Sequence, residues 1–144
     1  MGKAEEAVTL FHQGFNCAQA VLSVFAPDFG LDLDMARRVS QGFGAGVGRS
    51  DEICGSLSGA IMAIGLRYGA IRGDDAAAKE NTYAIVHQFV EKFKTRHGSV
   101  ACTDLIGYDL SDPQQYAEAK AHHAATERCP TFVRDAVTLV EALL

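Results

Sequence analysis

Four cysteines are the residues of this 144-residue chain with the most distinctive chemistry. Cys17, Cys54, Cys102 and Cys129 are separated by 37, 48 and 27 positions, and no two of them form Cys-x-x-Cys. This excludes zinc-ribbon and thioredoxin-type spacings as local motifs. Four thiols match the ligand count of a 2Fe-2S cluster or of one tetrahedral metal ion, while two would suffice for thiol–disulfide exchange. The alternative is structural, since free cysteines are among the most buried residue types.

The segment that must position Cys54 runs from residue 42 to residue 73 and holds 9 of the chain's 14 glycines. Residues 53–66 carry no charged side chain, which predicts a buried central helix that is entered through a glycine loop. Ser50 is the expected N-cap of this helix. Asp51 and Glu52 would then lie in its first turn, where the helix dipole favours acids.

A stripe of small residues marks one face of the predicted central helix. Gly55, Gly59 and Ala63 recur every four residues, and Gly65 follows near the end of the pattern. Each interior glycine costs roughly 1 kcal/mol relative to alanine, so we expect another helix, a ligand or a partner subunit to approach closely here. Intramolecular packing is the more common use of such a stripe in a water-soluble chain, but a homodimer formed through it stays open.

Capping residues, glycine stops and a period of 3.6 predict helices along the rest of the chain, and strand patterns are nearly absent. The sequence therefore predicts an all-α fold, one domain over residues 1–144 with six to eight helices packed around the glycine-rich one. The other expected helices are residues 3–13, a helix capped by Asn16 and ended by Pro27, one begun by Asp32 or Asp34, one from Asp74-Asp75 to Gly98, one capped by Ser99, one from Pro113 to about Glu127, and one after Cys129-Pro130.

Helical spacing also predicts which side chains face the core and where the thiols lie. Each cysteine is expected within about a turn of a helix end, and a bundle can bring four such ends to one place. Cys17 and Cys54, near helix N-termini, are the expected low-pKa thiols, although the neighbouring acids oppose this at Cys54. The expected inward positions of the helices near residues 35 and 85 are Met35, Val39, Phe43, Tyr83, Val86, His87, Val90 and Phe93.

Charge and hydropathy exclude several classes of partner. The net charge is −5 with a pI of about 5.4, and without a basic face the chain is not expected to bind nucleic acid. The uncharged run of residues 53–66 is shorter than the roughly 20 residues needed for direct membrane insertion. The first residues lack the features of a signal peptide, so we expect a cytoplasmic protein whose thiols are kept reduced.

The segments around all four cysteines resemble those of a known protein family, and the resemblance covers nearly the whole chain. The stretch CGSLSGA at residues 54–60, preceded by GAGVGRSDEI and followed by IMAIGLRYG, resembles the Cys-Gly-Ala-x-x-Gly segment of the redox-active four-cysteine family C_GCAxxG_C_C. FNCAQAVL, CTDLIGYDL and CPTFVRDAVTLVEALL are similar to that family's other cysteine segments. Ser56 is a departure, since the family pattern usually has alanine there.

The resemblance implies roles for Cys17, Cys54, Cys102 and Cys129 as redox-active thiols or metal ligands, and for Gly55 and Gly59 in binding a cofactor. A related domain is joined to haem modules in split-Soret cytochromes, where an iron–sulfur cluster is associated with it, but this chain has no Cys-x-x-Cys-His. We therefore expect an electron-transfer protein rather than a conventional enzyme, with a 2Fe-2S cluster and an external electron donor or acceptor. Metal-free thiol–disulfide chemistry and a helical interaction module with structural cysteines are the alternatives.

Overall fold

The computed structural model describes all 144 residues and contains eight α-helices and no β-strand. The prediction of an all-α bundle of six to eight helices is confirmed. A 3₁₀ helix (Ala26–Phe29) follows the second helix, and Gly44–Arg49 forms a left-handed turn. The helices are α1 (Lys3–His12), α2 (Cys17–Phe25), α3 (Leu33–Gln41), α4 (Gly55–Tyr68), α5 (Ala76–His97), α6 (Cys102–Ile106), α7 (Pro113–Ala121) and α8 (Ala124–Glu141).

Local capping signals explain several helix ends. The Asn16 side chain accepts a hydrogen bond from the Gln19 N–H, and the Gln19 side chain accepts one from the Asn16 N–H. This reciprocal capping box begins α2 as predicted. The carboxylates of Asp32 and Asp75 cap α3 and α5 by accepting hydrogen bonds from the N–H groups of Met35 and Ala78, and Gly98 ends α5 with a φ of 82°.

The central helix α4 packs most extensively against α2, and its glycines permit the contact. A Cβ atom on Gly59 would lie 2.7 Å from the Ala18 carbonyl oxygen, and one on Gly55 would lie 3.1 Å from the Ala18 nitrogen. The predicted close approach is therefore confirmed at these two glycines, and α2 is the approaching element. Because α2 covers the stripe, these glycines are not free to form a dimer face. A homodimer through another surface stays a prediction.

The predicted start of the central helix is wrong. Ser50 is not its N-cap, because α4 begins at Gly55 and Cys54 occupies the cap position. Asp51 has a left-handed φ of 59°, and neither it nor Glu52 lies in a helical first turn. The reason is tertiary: the residues just before α4 pair with the segment before α6, and this pairing keeps them extended.

The predicted inward face of α3 is also wrong. Met35, Val39 and Phe43 are exposed by 53%, 58% and 39%. Helix α3 instead turns the small residues Ala36 and Ser40 toward α2, and both are fully buried. Small side chains allow the two backbones to approach, so the large apolar residues are left on the outer face.

The core face of α5 differs from the prediction at two positions. Tyr83 is 59% exposed and His87 is also exposed. Phe93 is fully buried as predicted, and Phe89, which was not predicted, is buried with it. The Phe93 ring centroid lies 6.4 Å from that of Phe132 on α8. The apolar pattern of this long helix fits two neighbouring faces, and contact with α8 selects between them.

The C-terminal third contains two further corrections to helix boundaries. The predicted helix of residues 113–127 is broken at His123, whose φ of 54° separates α7 from α8. Cys129 and Pro130 consequently lie inside α8 rather than before it. Ser99 does not cap α6, because its hydroxyl accepts a hydrogen bond from the Ala101 N–H before that helix begins.

No helix of the structure combines the length and the apolar character that crossing a membrane requires.

Candidate four-cysteine site

The four thiols come from four different parts of the chain and are buried in the same hydrophobic cluster. Cys17 is the first residue of α2, Cys54 immediately precedes α4, Cys102 is the first residue of α6, and Cys129 lies in the second turn of α8. All four are free thiols, and their exposed fractions are only 4–8%. A protein-sized reaction partner therefore has little access to any of the sulfur atoms.

A short backbone pairing holds Cys54 and Cys102 beside each other. Ile53 and Ala101 form an isolated antiparallel bridge, and the N–H groups of Cys54 and Cys102 donate to the opposite segment at 2.8 and 3.0 Å. Side chains alternate along extended chain, so the two cysteines, each one residue beyond the bridge, leave it on the same face. Sequence analysis missed this pairing because a single bridge between distant residues produces no alternating pattern.

The left-handed turn brings bare backbone against Cys102. A Cβ atom on Gly46, whose φ is 69°, would lie 2.8 Å from the Cβ atom of Cys102. Ala45, Val47 and Arg49 also have positive φ, a conformation that costs a non-glycine residue roughly 1–2 kcal/mol. Packing beside the cysteine site must offset this strain. The alternating glycines predicted a loop here, but the three intervening residues give no local signal for a left-handed turn.

Cys17 and Cys129 form the second close pair. The Cys129 thiol lies close enough to Cys17 across the α2–α8 contact to be the main influence on the pKa of Cys17. The guanidinium of Arg128 donates to the Ile106 carbonyl oxygen at 3.0 Å, so α8 is also fastened to the C-terminal end of α6. Through this bond, the helix that carries Cys129 is held beside the helix that begins with Cys102.

The expected low pKa of the helix-terminal thiols is wrong. Interaction with the neighbouring Cys129 thiol, which favours the neutral S–H of Cys17, and burial raise the pKa of Cys17. Burial and the neighbouring Cys17 raise the pKa of Cys54 to about 12. Burial and the nearby thiols, together with Asp51, raise the pKa of Cys102 to about 12. No cation is among these causes, so desolvation and like charge outweigh the helix N-termini.

One polar atom within this region has no partner. Ser56, in the first turn of α4, is fully buried, and its Oγ atom makes no hydrogen bond. The hydroxyl nevertheless acts on two sulfur atoms, because Ser56 opposes the rise in the pKa of Cys17 and of Cys54. Sequence analysis noted Ser56 only as a departure from the family pattern. A polar residue at a position where the family pattern usually has alanine was the sequence signal that could have identified Ser56 as part of the site.

The donor set can be tested against a single metal ion and against a cluster. No three histidine, cysteine, aspartate or glutamate side chains lie close enough together to hold one ion. Four buried thiols do match the number and type of ligands that an iron–sulfur cluster requires. Because a 2Fe-2S cluster has two irons, its four ligands need not all converge on a single ion. The unpartnered Ser56 hydroxyl adds a free donor for a sulfur atom. The contacts of Gly55 and Gly59 are with α2, and their cofactor-binding role stays a prediction.

Comparison with known families agrees with the resemblance noted in the sequence. The sequence model of the family described as "Putative redox-active protein (C_GCAxxG_C_C)" matches residues 15–143. That range includes all four cysteines and omits residues 1–14, which contain the whole of α1, and the last residue. No curated protein and no solved structure shows a significant match to the chain.

Proposed function

The chain belongs to the C_GCAxxG_C_C family of redox-active proteins, and we propose that its four thiols act as one centre that ligates an iron–sulfur cluster for electron transfer. The observation that carries this proposal is the burial of four free thiols in one core. Cys17, Cys54, Cys102 and Cys129 would be the ligands. When bound, the cluster would supply one-electron chemistry.

The raised pKa values of the thiols mean that thiolates at this site need a positively charged partner. Thiols bind metal as thiolates, yet burial and mutual proximity disfavour thiolate at Cys17, Cys54 and Cys102. A group of positive iron ions is the partner that would offset this cost. Without such a partner the thiols are poor nucleophiles, since thiolate is the reactive form.

Burial also suits electron transfer better than exchange with another protein's disulfide. Thiol–disulfide exchange requires direct attack by one sulfur on another, and exposures of 4–8% obstruct such an approach. An electron can pass through a thin protein layer without contact between sulfur atoms. The partner would be an external electron donor or acceptor, in a reducing compartment such as the cytoplasm.

The experiment is anaerobic reconstitution of the reduced protein with iron and sulfide, followed by visible absorption and by iron and acid-labile sulfide analysis. The wild type should become coloured with near-stoichiometric iron and sulfide. Single alanine variants at the four cysteine positions should lose the colour while keeping their helical circular dichroism. A folded wild-type protein that takes up neither iron nor sulfide would overturn the proposal.

A metal-free dithiol is the second candidate function, because Cys17 and Cys129 are close neighbours in the same buried cluster. Oxidation would form one S–S bond between them and pass two electrons and two protons to an external acceptor. Mass spectrometry after mild oxidation and alkylation tests this candidate. A Cys17–Cys129 disulfide that forms and is reduced reversibly would support it, whereas two thiols that stay reduced or pair elsewhere would refute it.

A further inference from the structure

Ser56 is the only buried side chain with a nitrogen or oxygen atom that lacks a hydrogen-bond partner. Its exposed fraction is 0%. Ser40, which is equally buried, shows the usual arrangement, because its hydroxyl donates to the Ala36 carbonyl oxygen at 2.6 Å. An unpaired buried hydroxyl is destabilising, so a fold that retains one calls for an explanation at that position.

The position of Ser56 relates it to two thiols. It is the second residue of α4, directly after Gly55 and two residues after Cys54. At Gly55 the two helix backbones are so close that a Cβ atom would lie 3.1 Å from the Ala18 nitrogen. Cys17, which precedes Ala18, therefore faces the same first turn of α4. The Ser56 hydroxyl is close enough to both thiols to affect the pKa of each, so it lies on the side of the site bounded by Cys17 and Cys54.

We propose that the Ser56 hydroxyl is the hydrogen-bond donor for negatively charged sulfur at the Cys17–Cys54 side of the site, and that it positions and stabilises the charged state. This inference rests on the proposed function, in which Cys17 and Cys54 bind metal as thiolates. A neutral thiol is a weak acceptor, whereas an ionised acceptor forms a markedly stronger bond. The donor is thus unpartnered in the reduced, metal-free protein and acquires its acceptor when the site is charged.

The electrostatic effect of Ser56 has the direction that this role requires. The nearby Ser56 hydroxyl acts to lower the pKa of Cys17 and of Cys54, and the Ser56 backbone N–H adds to this at Cys54, although burial and neighbouring thiols raise the pKa of both. Hydrogen bonds to the sulfur atoms of an iron–sulfur site also affect its reduction potential. Reduction of the site adds one electron, so a donor to sulfur raises the potential at which this occurs.

The test compares Ser56→Ala with a matched control, Ser58→Ala. Ser58 is also buried, at 7% exposure, but lies about 200° further around the same helix. Alanine at position 56 is the residue usual in the family pattern and should fit. In urea unfolding of the reduced, metal-free protein, we expect S56A to be at least as stable as the wild type. A loss of stability in S56A larger than that in S58A would reveal a structural partner and overturn the proposal.

The metal-bound protein should show the opposite effect. After reconstitution, S56A should lose iron to excess EDTA roughly tenfold faster than the wild type, and S58A should not. In a dithionite titration the reduced-to-oxidised ratio at a given potential should fall about tenfold, a shift of about 59 mV for one electron. Equal iron loss and equal midpoint potential in S56A and the wild type would overturn the proposal while leaving the proposed function intact.

Failure of the proposed function gives a different result. If the wild type takes up no iron and sulfide, Cd²⁺ alone becomes the probe, because it binds thiolates without sulfide. A roughly tenfold weaker Cd²⁺ affinity in S56A, with S58A unchanged, would support the donor role on its own. Equal affinity in the three proteins, or no Cd²⁺ binding by the wild type, would overturn it.

Discussion

The contact between α2 and α4 leads to a prediction at Gly59. A Cβ atom there would lie 2.7 Å from the Ala18 carbonyl oxygen and 3.0 Å from the Val21 Cβ atom, shorter than ordinary contacts of 3.4–4 Å. Gly59→Ala must therefore separate the two helices by several tenths of an ångström. Overpacking of this kind costs about 1–3 kcal/mol, partly offset by a gain of roughly 1 kcal/mol in helix propensity.

Gly65→Ala is the control for this prediction, because a Cβ atom on Gly65 would meet nothing within 4 Å. Both glycines lie in α4, so the propensity gain is shared and the difference between the variants isolates the packing cost. We expect Gly59→Ala to be less stable than Gly65→Ala by about 1–3 kcal/mol.

Urea unfolding of the reduced, metal-free variants, followed by circular dichroism, measures this difference. With an m-value of about 2 kcal/mol/M, the Gly59→Ala midpoint should lie about 0.5–1.5 M urea below that of Gly65→Ala. Equal midpoints, or a higher midpoint for Gly59→Ala, would refute the claim that glycine at this position permits the α2–α4 contact.

Three further predictions concern the surroundings of the site. Gly46→Ala should destabilise the protein by about 2–5 kcal/mol in urea unfolding, because it combines left-handed strain with a clash against Cys102. The control Gly48→Ala has similar strain but only a 3.6 Å contact, so it should lose about 1–2 kcal/mol. Equal losses of stability in the two variants would count against the clash. Asn16→Ala should cost about 0.5–2 kcal/mol by removing the capping box, whereas Asn16→Asp should retain most of that stability in the same assay. Finally, the pKa of Cys54 rises from an ordinary 9.0 to about 12, so the folded state binds more protons than the unfolded state above pH 9. Cys54 should therefore contribute a fall of up to about 1.4 kcal/mol per pH unit to the unfolding free energy of the metal-free protein between pH 9 and 12, in addition to the contributions of Cys17 and Cys102. A Cys54→Ala variant with the same pH slope as the wild type would contradict this.

Much of the helical fold could be predicted because its signals are local. Asn16, Asp32 and Asp75 cap helices through their own side chains, and Gly98 ends one through its own positive φ. Each signal depends on only a few neighbouring residues. The lack of a side chain at Gly59 likewise predicted a close approach by another element, although the sequence could not identify that element as α2.

The failures share a dependence on distant contacts. The start of α4 is set by the pairing of Ile53 with Ala101, which lies far along the chain. Exposed Met35 on α3 shows that an apolar stripe does not by itself identify the packed face, because small residues can form the closer contact. Pro130 was interpreted as a helix boundary, yet α8 continues through it.

The candidate site was partly predictable in the same sense. The helix-terminal position of Cys17 follows from the local Asn16 cap, whereas Cys54 and Cys102 flank the tertiary pairing of Ile53 with Ala101. The raised pKa values of the three thiols do not follow from local patterns, because burial and neighbouring sulfur atoms are tertiary effects. The same limit applies to Ser56, whose lack of a partner can be recognised only when its surroundings are known.

The most direct measurement of the central claim is an anaerobic redox titration of the reconstituted wild-type protein, followed by visible absorption. A cluster held by Cys17, Cys54, Cys102 and Cys129 predicts a coloured protein with a reversible one-electron transition, which every single cysteine-to-alanine variant lacks. A colourless protein without that transition would contradict the claim. If a reversible two-electron transition dependent only on Cys17 and Cys129 were found instead, the thiol pair would be the redox centre.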